Sequence, residues 1–303
     1  MNNPNFEKEV EFINNLKFKH LENVKCGELL GTKLFYEKKN ISYLSVLKGL
    51  ISIFLNSHIY KETEYDSGTA FFFTPSYAGR MDHYNDFMAV TSCIDNPLIL
   101  NGNKQIKTFD LKRFIGVFYW FIWLSEMKKT GFPLNYCMLL CNLMLQAYYV
   151  LEEVKTNKWN KDKLKLAVTF CDVHPCDYII TQYFNELGIN TATLQHAVFY
   201  HGTQWYCYRF SHSKFFLATN EYSRSEAKKS GYSGEVRVVG SMKAIDSSIL
   251  YNNNEKENKN TFGLALCGPT FAEQNKALFD YAKYIQDKYG FSIKIRLHPA
   301  LRL

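Results

Sequence analysis

The sequence predicts an α/β chain, a doubly wound parallel sheet followed by the start of a second unit of the same kind. Three observations carry this. From residue 164 onward, short apolar runs alternate with helical patterns, and Gly188, Gly231 and Gly290 stand where a helix must stop in left-handed backbone. A polar stretch, Tyr251 to Asn260 (YNNNEKENKN), interrupts the alternation. The length, 303 residues, suits two domains at roughly 100 to 200 residues each.

Taken in order, residues 1–65 read as a helical or mixed lead-in with a helix over 45–56 (SVLKGLISIFLN). Residues 69–74 (TAFFFT) suit a buried strand, ended by the loop from Pro75 to Arg80. Long apolar runs predict helices over 110–127 and 133–155, with a charged connector at 157–163. The alternating region then supplies a strand at 164–170, a turn at Asp172-Val173-His174-Pro175 and a helix over 176–187. A strand at 191–194 runs into Gln195-His196. Strand 214–219, helix 222–230 and strand 236–239 complete that region. Beyond the polar stretch come strand 262–267, loop Gly268-Pro269-Thr270, helix 271–289 and strand 292–297. The expected organisation is therefore an α/β domain over 1–250 with helical insertions, a linker at 251–260 and a partial domain over 261–303. One β-α-β unit cannot cover both faces of its own sheet, so the second domain reads as incomplete, and stable folding is expected only through residue 245.

Composition narrows the class. Hydrophobic residues are 47% and charged residues 21%, which excludes wholesale disorder. The net charge of +7 favours acidic partners such as phosphates, nucleotides or an anionic membrane surface, without the clustered basic runs of a nucleic-acid binder. Eight cysteines lie scattered in apolar stretches with no CxxC pair, the pattern of reduced core residues in a cytoplasmic protein. The charged start (MNNPNFEKE) lacks the apolar core of an export signal. The run FIGVFYWFIWL at 114–124 is too short to span a bilayer, and Asn135, Asn142 and Gln146 interrupt 134–151, which reads as a buried helix.

Chemistry is expected at the carboxyl ends of strands, where ligands gather in open α/β sheets. His196 occupies such a position, with His201-Gly202-Thr203 in the same loop. A second is Arg296-Leu297-His298-Pro299, whose guanidinium and imidazole suit a phosphate. The Gly268-Pro269-Thr270 loop opens a helix whose first N–H groups attract anions, with Thr270 as cap. Asp172-Val173-His174-Pro175-Cys176-Asp177 has no partner pair at zinc-like spacing and reads as a structural turn. Arg80, Asp82, His83 and Asp86 read as a solvated helix start. Neither G-x-S-x-G nor D-x-D occurs, which disfavours an α/β serine hydrolase and a metal–diphosphate clamp.

The series of strands ending in Leu194-Gln195-His196 and Val236 to Ser241, then a polar linker and a β-α-β closing on Arg296-Leu297-His298-Pro299, resembles the GT-B glycosyltransferases of bacterial surface-polysaccharide synthesis. The nearest are the capsule-polysaccharide and polysialyltransferase-like enzymes and the CDP-glycerol glycerophosphotransferases. The resemblance covers residues 160–303. It implies a Rossmann-like N-terminal domain, the start of a second Rossmann-like domain, and metal-independent, inverting transfer from a nucleotide-activated sugar to a growing, lipid-linked surface glycan. It implies that His196 and His298 are catalytic and face the interdomain cleft, and that Gly268, Thr270, Arg296 and His298 bind the donor. Ala197 stands where the family has Gly, so His201 is an alternative to His196. It also implies a protein at the inner membrane face, held there peripherally. Two other readings stand beside it: a CDP-polyol phosphotransferase of the teichoic-acid type, and an inactive fragment or binding module.

Overall fold

The computed structural model describes residues 5–35, 41–58, 67–77, 81–92, 94–102, 105–107, 111–195, 206–240, 260–266 and 272–296. The chain divides into two units, residues 1–244 and 245–303. The first opens with helices α1 (Phe6–Asn14), α2 (Cys26–Leu29), α3 (Gly31–Phe35) and α4 (Tyr43–Leu55). There follow strands β1 (Asn56–His58) and β2 (Thr69–Phe73), helix α5 (Met81–Thr91), strands β3 (Leu98–Asn101) and β4 (Gln105–Lys107), and the long helices α6 (Leu111–Met127) and α7 (Leu134–Lys155). Strand β5 (Leu166–Thr169), helix α8 (Pro175–Glu186), strands β6 (Asn190–Leu194) and β7 (Phe215–Ala218), helix α9 (Glu221–Lys229) and strand β8 (Glu235–Val238) complete it.

Six strands form one parallel sheet in the order β3-β2-β5-β6-β7-β8. The sequence reading began the sheet at residue 164, but it begins at β2. The reason lies in the TAFFF run, which is a strand buried on both faces and so shows no polar alternation. Ala70 and Phe72 pack with α7 and α8, Phe72 lying 5.2 Å from the Phe184 ring. Phe71 and Phe73 turn to the other face, where both meet Phe87 of α5 at 5.5–5.6 Å. Strand β3 pairs with β2 through Phe71↔Ile99 and was not anticipated, and neither was the antiparallel pair β1–β4.

The ends of the elements follow their residues. Helix α8 opens on Pro175, which has no N–H to leave unpaired, and the chain turns at Gly188 with φ 75°. Asn220 caps α9 by accepting from the Ser223 N–H at 2.8 Å, and Gly231 follows that helix at φ 94°. Between β6 and β7 the chain passes α8, where Tyr178 Oη donates to Glu28 Oε2 (3.2 Å) and meets His212 Nε2 at 3.0 Å. His212 Nε2 itself lies 2.7 Å from Glu28 Oε2, so the crossover is pinned to α2 and α8.

Helix α7 is long and apolar enough to cross a membrane, yet 67% of its apolar window is buried inside the protein. Its Asn142 explains how. The Asn142 side chain donates to the Val46 carbonyl of α4 and accepts from Trp120 Nε1 of α6, both at 2.9 Å. The polar break seen in the sequence is thus a satisfied bridge between the two covering helices. Among the described residues, Cys26, Cys137, Cys141, Cys171 and Cys176 are buried thiols outside any disulfide, in keeping with the core positions read from the sequence.

In the second unit, β9 (Thr261–Ala265) and β10 (Ser292–Arg296) pair in parallel through Phe262↔Ile293 and Leu264↔Ile295. Helix α10 (Ala272–Tyr289) connects them and packs on both.

Candidate functional site at the switch point of the sheet

From β2 the chain steps outward to β3, then returns to the other side of β2 and steps the opposite way through β5, β6, β7 and β8. The reversal lies between β2 and β5. In open α/β sheets the crevice outside the carboxyl ends of two such strands is the place for a ligand, because their connections leave to opposite faces.

Asp177, in the first turn of α8, reaches back across both strand ends. Its Oδ1 accepts from the N–H groups of Phe170 (3.2 Å) and Cys171 (3.3 Å) after β5, and its Oδ2 accepts from the Thr74 hydroxyl after β2. Burial pushes its pKa up to about 7; the Thr74 and backbone donors oppose this, and the charge of nearby Asp172 adds to it. Asp172, also buried, donates its N–H to Thr193 Oγ1 of β6 at 3.0 Å. Its Oδ2 accepts from Ser211 Oγ (2.6 Å) and the Ser213 N–H (2.9 Å), while its buried Oδ1 has no partner among the described residues.

His174, at the N-cap position of α8, does not cap the helix with its side chain. Burial pushes its pKa down to about 4, and the charges of Lys33 on α3 and His83 on α5 act in the same direction. His83 lies against the Phe170 ring at 5.1 Å, and Thr32 donates its hydroxyl to the Val173 carbonyl, so α3 and α5 both border the crevice. At neutral pH the arrangement holds a neutral imidazole, a carboxyl near its midpoint of titration, and the Lys33 ammonium acting on the amino end of a helix. Such a set can move a proton and favours an anionic group.

Of the residues singled out in the sequence, His196, His201, Gly268, Thr270 and His298 lie outside the described residues, and Arg296 is described only as the last residue of β10. Gln195 directly precedes His196 and is the first residue past β6 at its carboxyl edge. It is buried; its Oε1 accepts from the Thr219 N–H (2.9 Å) and hydroxyl (3.2 Å), and its Nε2 donates to Ser223 Oγ (2.9 Å). That side chain ties β6 to the β7–α9 turn. The residues that sequence reasoning passed over are Asp172, His174 and Asp177. Their signal was position, directly after a strand and across the start of a helix, and the search for zinc spacing did not weigh it. Among the described residues, no three His, Cys, Asp or Glu side chains are grouped to hold a metal ion.

No family model, no curated protein and no solved structure matches this chain.

Proposed function

We propose that the protein is a GT-B-type glycosyltransferase that moves a sugar from a nucleotide-activated donor to a growing surface glycan without a metal. The observation that supports this best is the topology: a six-stranded parallel sheet with a switch point, followed in the chain by a separate parallel β-α-β unit. Two α/β units in succession suit an enzyme that holds acceptor and donor apart and joins them for one displacement.

In this reading His196, one residue beyond the buried Gln195, is the base that takes the acceptor hydroxyl proton as the hydroxyl oxygen attacks the anomeric carbon. The nucleotide leaves with the electron pair of the broken C–O bond. Arg296, His298 and the Gly268–Thr270 loop offset the charge on the departing phosphate. The Asp177 carboxyl ties the end of β2 to that of β5, and the Asp172 carboxyl holds Ser211 and Ser213 ahead of β7.

The test is to incubate the full chain with a panel of nucleotide sugars and CDP-glycerol and to analyse the products. Sugar transfer that falls about 10²- to 10⁴-fold in His196→Ala, with folding intact, is the expected result. Transfer of glycerol phosphate instead makes it a polyol phosphotransferase. Nucleotide binding by calorimetry with no turnover of any donor makes it a binding module and overturns the proposal.

A further inference from the structure

Helices α4 and α6 lie on α7 and run in opposite directions. Val46 and Trp120 are bridged at one level by Asn142, while the Phe54 and Phe114 rings meet at 4.8 Å at the other. Each buries one side: Val46 on α4, and Trp120, Trp123 and Met127 on α6. The opposite sides are apolar as well. On α4, Leu44 (62% exposed), Leu47, Ile51 (57%) and Leu55 recur at helical spacing; on α6, Ile115, Phe118 (62%) and Phe121 (61%) do the same. Surface helices of a water-soluble fold carry polar residues there, and an apolar area of this extent marks a contact surface.

Charge selects the occupant. Helix α4 holds no Asp or Glu, and α6 holds one, Glu126 in its last turn, which pairs with Lys129 at 2.7 Å. Lys48 is exposed within the α4 row, and Lys128 is exposed just past the end of α6. We propose that this α4–α6 face docks on an anionic lipid bilayer, lying in the plane of the headgroups. Helices of 13 and 17 residues are about 20 and 25 Å long, short of the ~30 Å hydrocarbon core, and their packed sides keep them from entering it. Leucine, isoleucine and phenylalanine side chains enter the acyl boundary while the lysine ammonium groups stay at the phosphates. A second copy of the chain is a poorer fit, since it would set Lys48 and Lys128 against their own copies, and the one carboxylate on these two helices, Glu126, is already paired with Lys129. Such docking is independent of the transfer chemistry.

The test is co-sedimentation of the full chain with phosphatidylcholine vesicles and with phosphatidylglycerol–phosphatidylcholine vesicles, at low and high salt. Binding is expected on the anionic vesicles, weakened by salt. Lys48→Glu with Lys128→Glu is expected to lower it about 10-fold or more, each lysine near the surface contributing about 1 kcal/mol. Leu47→Gln, Ile51→Gln, Phe118→Gln and Phe121→Gln together are expected to abolish it with the circular dichroism spectrum unchanged; if that variant does not fold, the lysine reversal decides alone. Equal binding to both vesicle types, or no binding to either, overturns the proposal. So does unchanged anionic binding in the lysine variant. A dimer in sedimentation velocity that the four-residue variant dissolves, without vesicle binding by the parent, assigns the face to a protein contact and overturns it as well.

Discussion

Asp177 and His174, three positions apart, titrate in opposing senses. Burial raises Asp177 from an ordinary 3.8 to about 7, so between those values the folded chain holds a proton that the unfolded chain has released. Its contribution to stability is full below pH 3.8 and is lost as pH rises through 7. His174 is lowered from 6.5 to about 4, so its contribution is full above pH 6.5 and is lost as pH falls through 4. The two windows overlap, and their effects, each on the order of a few kcal/mol, offset one another. Thermal melts should therefore separate them. Asp177→Asn should leave a melting temperature that climbs from pH 4 to 6.5, and His174→Gln one that declines from pH 4 to 7. Matching slopes in the two variants would show that neither group titrates as its surroundings indicate. In the sequence these two residues looked like parts of a turn, because burial and the Thr74 contact depend on a strand about 100 positions earlier.

At the scale of elements, α6 and α7 approach closely in the helical layer at Gly116. A Cβ there would stand 2.5 Å from the Tyr149 ring and 2.6 Å from its hydroxyl. Tyr149 cannot move aside easily, since its hydroxyl donates to the Arg113 carbonyl at 2.6 Å and the Arg113 guanidinium lies over its ring at 4.7 Å. Arg113 is itself buried and paired with Glu153 at 3.1 Å. Gly116→Ala should cost about 1–3 kcal/mol by overpacking, read as a lower denaturant midpoint at unchanged m-value. The bounds of α6 and α7 were legible to within a residue or two from their apolar runs. Which faces of α6 pack was not legible, because FIGVFYWFIWL is apolar all round and its period offers no choice. The alternation after residue 164 placed β5, α8, β6, β7, α9 and β8 nearly residue by residue, since each is short and closed by a turn residue. Strand β3 escaped because a four-residue run beside Pro97 has no pattern of its own.

For the molecule as a whole, the division between residues 244 and 245 sits just ahead of the polar Tyr251–Asn260 stretch. Limited proteolysis should cut first between residues 245 and 260 and release an N-terminal core, as polar connections between compact units are preferred cleavage sites. First cleavage within the six-stranded unit, ahead of any cut in that interval, would show that the two units are not separately compact. Within the first unit the two apolar clusters lie against the two faces of the sheet: α1, α4, α6, α7 and α8 contribute to one, and α5 and α9 to the other. The switch-point crevice follows from that arrangement, because consecutive connections must leave to opposite faces to cover both.

The sequence by itself determined the class of fold, the order of most strands and helices, the reduced state expected of the buried cysteines and the place of the polar break. Each of these is local, written in period, turn residues and composition over a few residues. The tertiary structure alone decided that β2 is a central strand and that Asp177 joins two strand ends. It also decided that Asn142 bridges two helices and that half of an apolar helix faces outward. Those depend on contacts between residues far apart in the chain, and burial, which sets both a carboxyl's pKa and a side chain's partner, is a property of the packed whole.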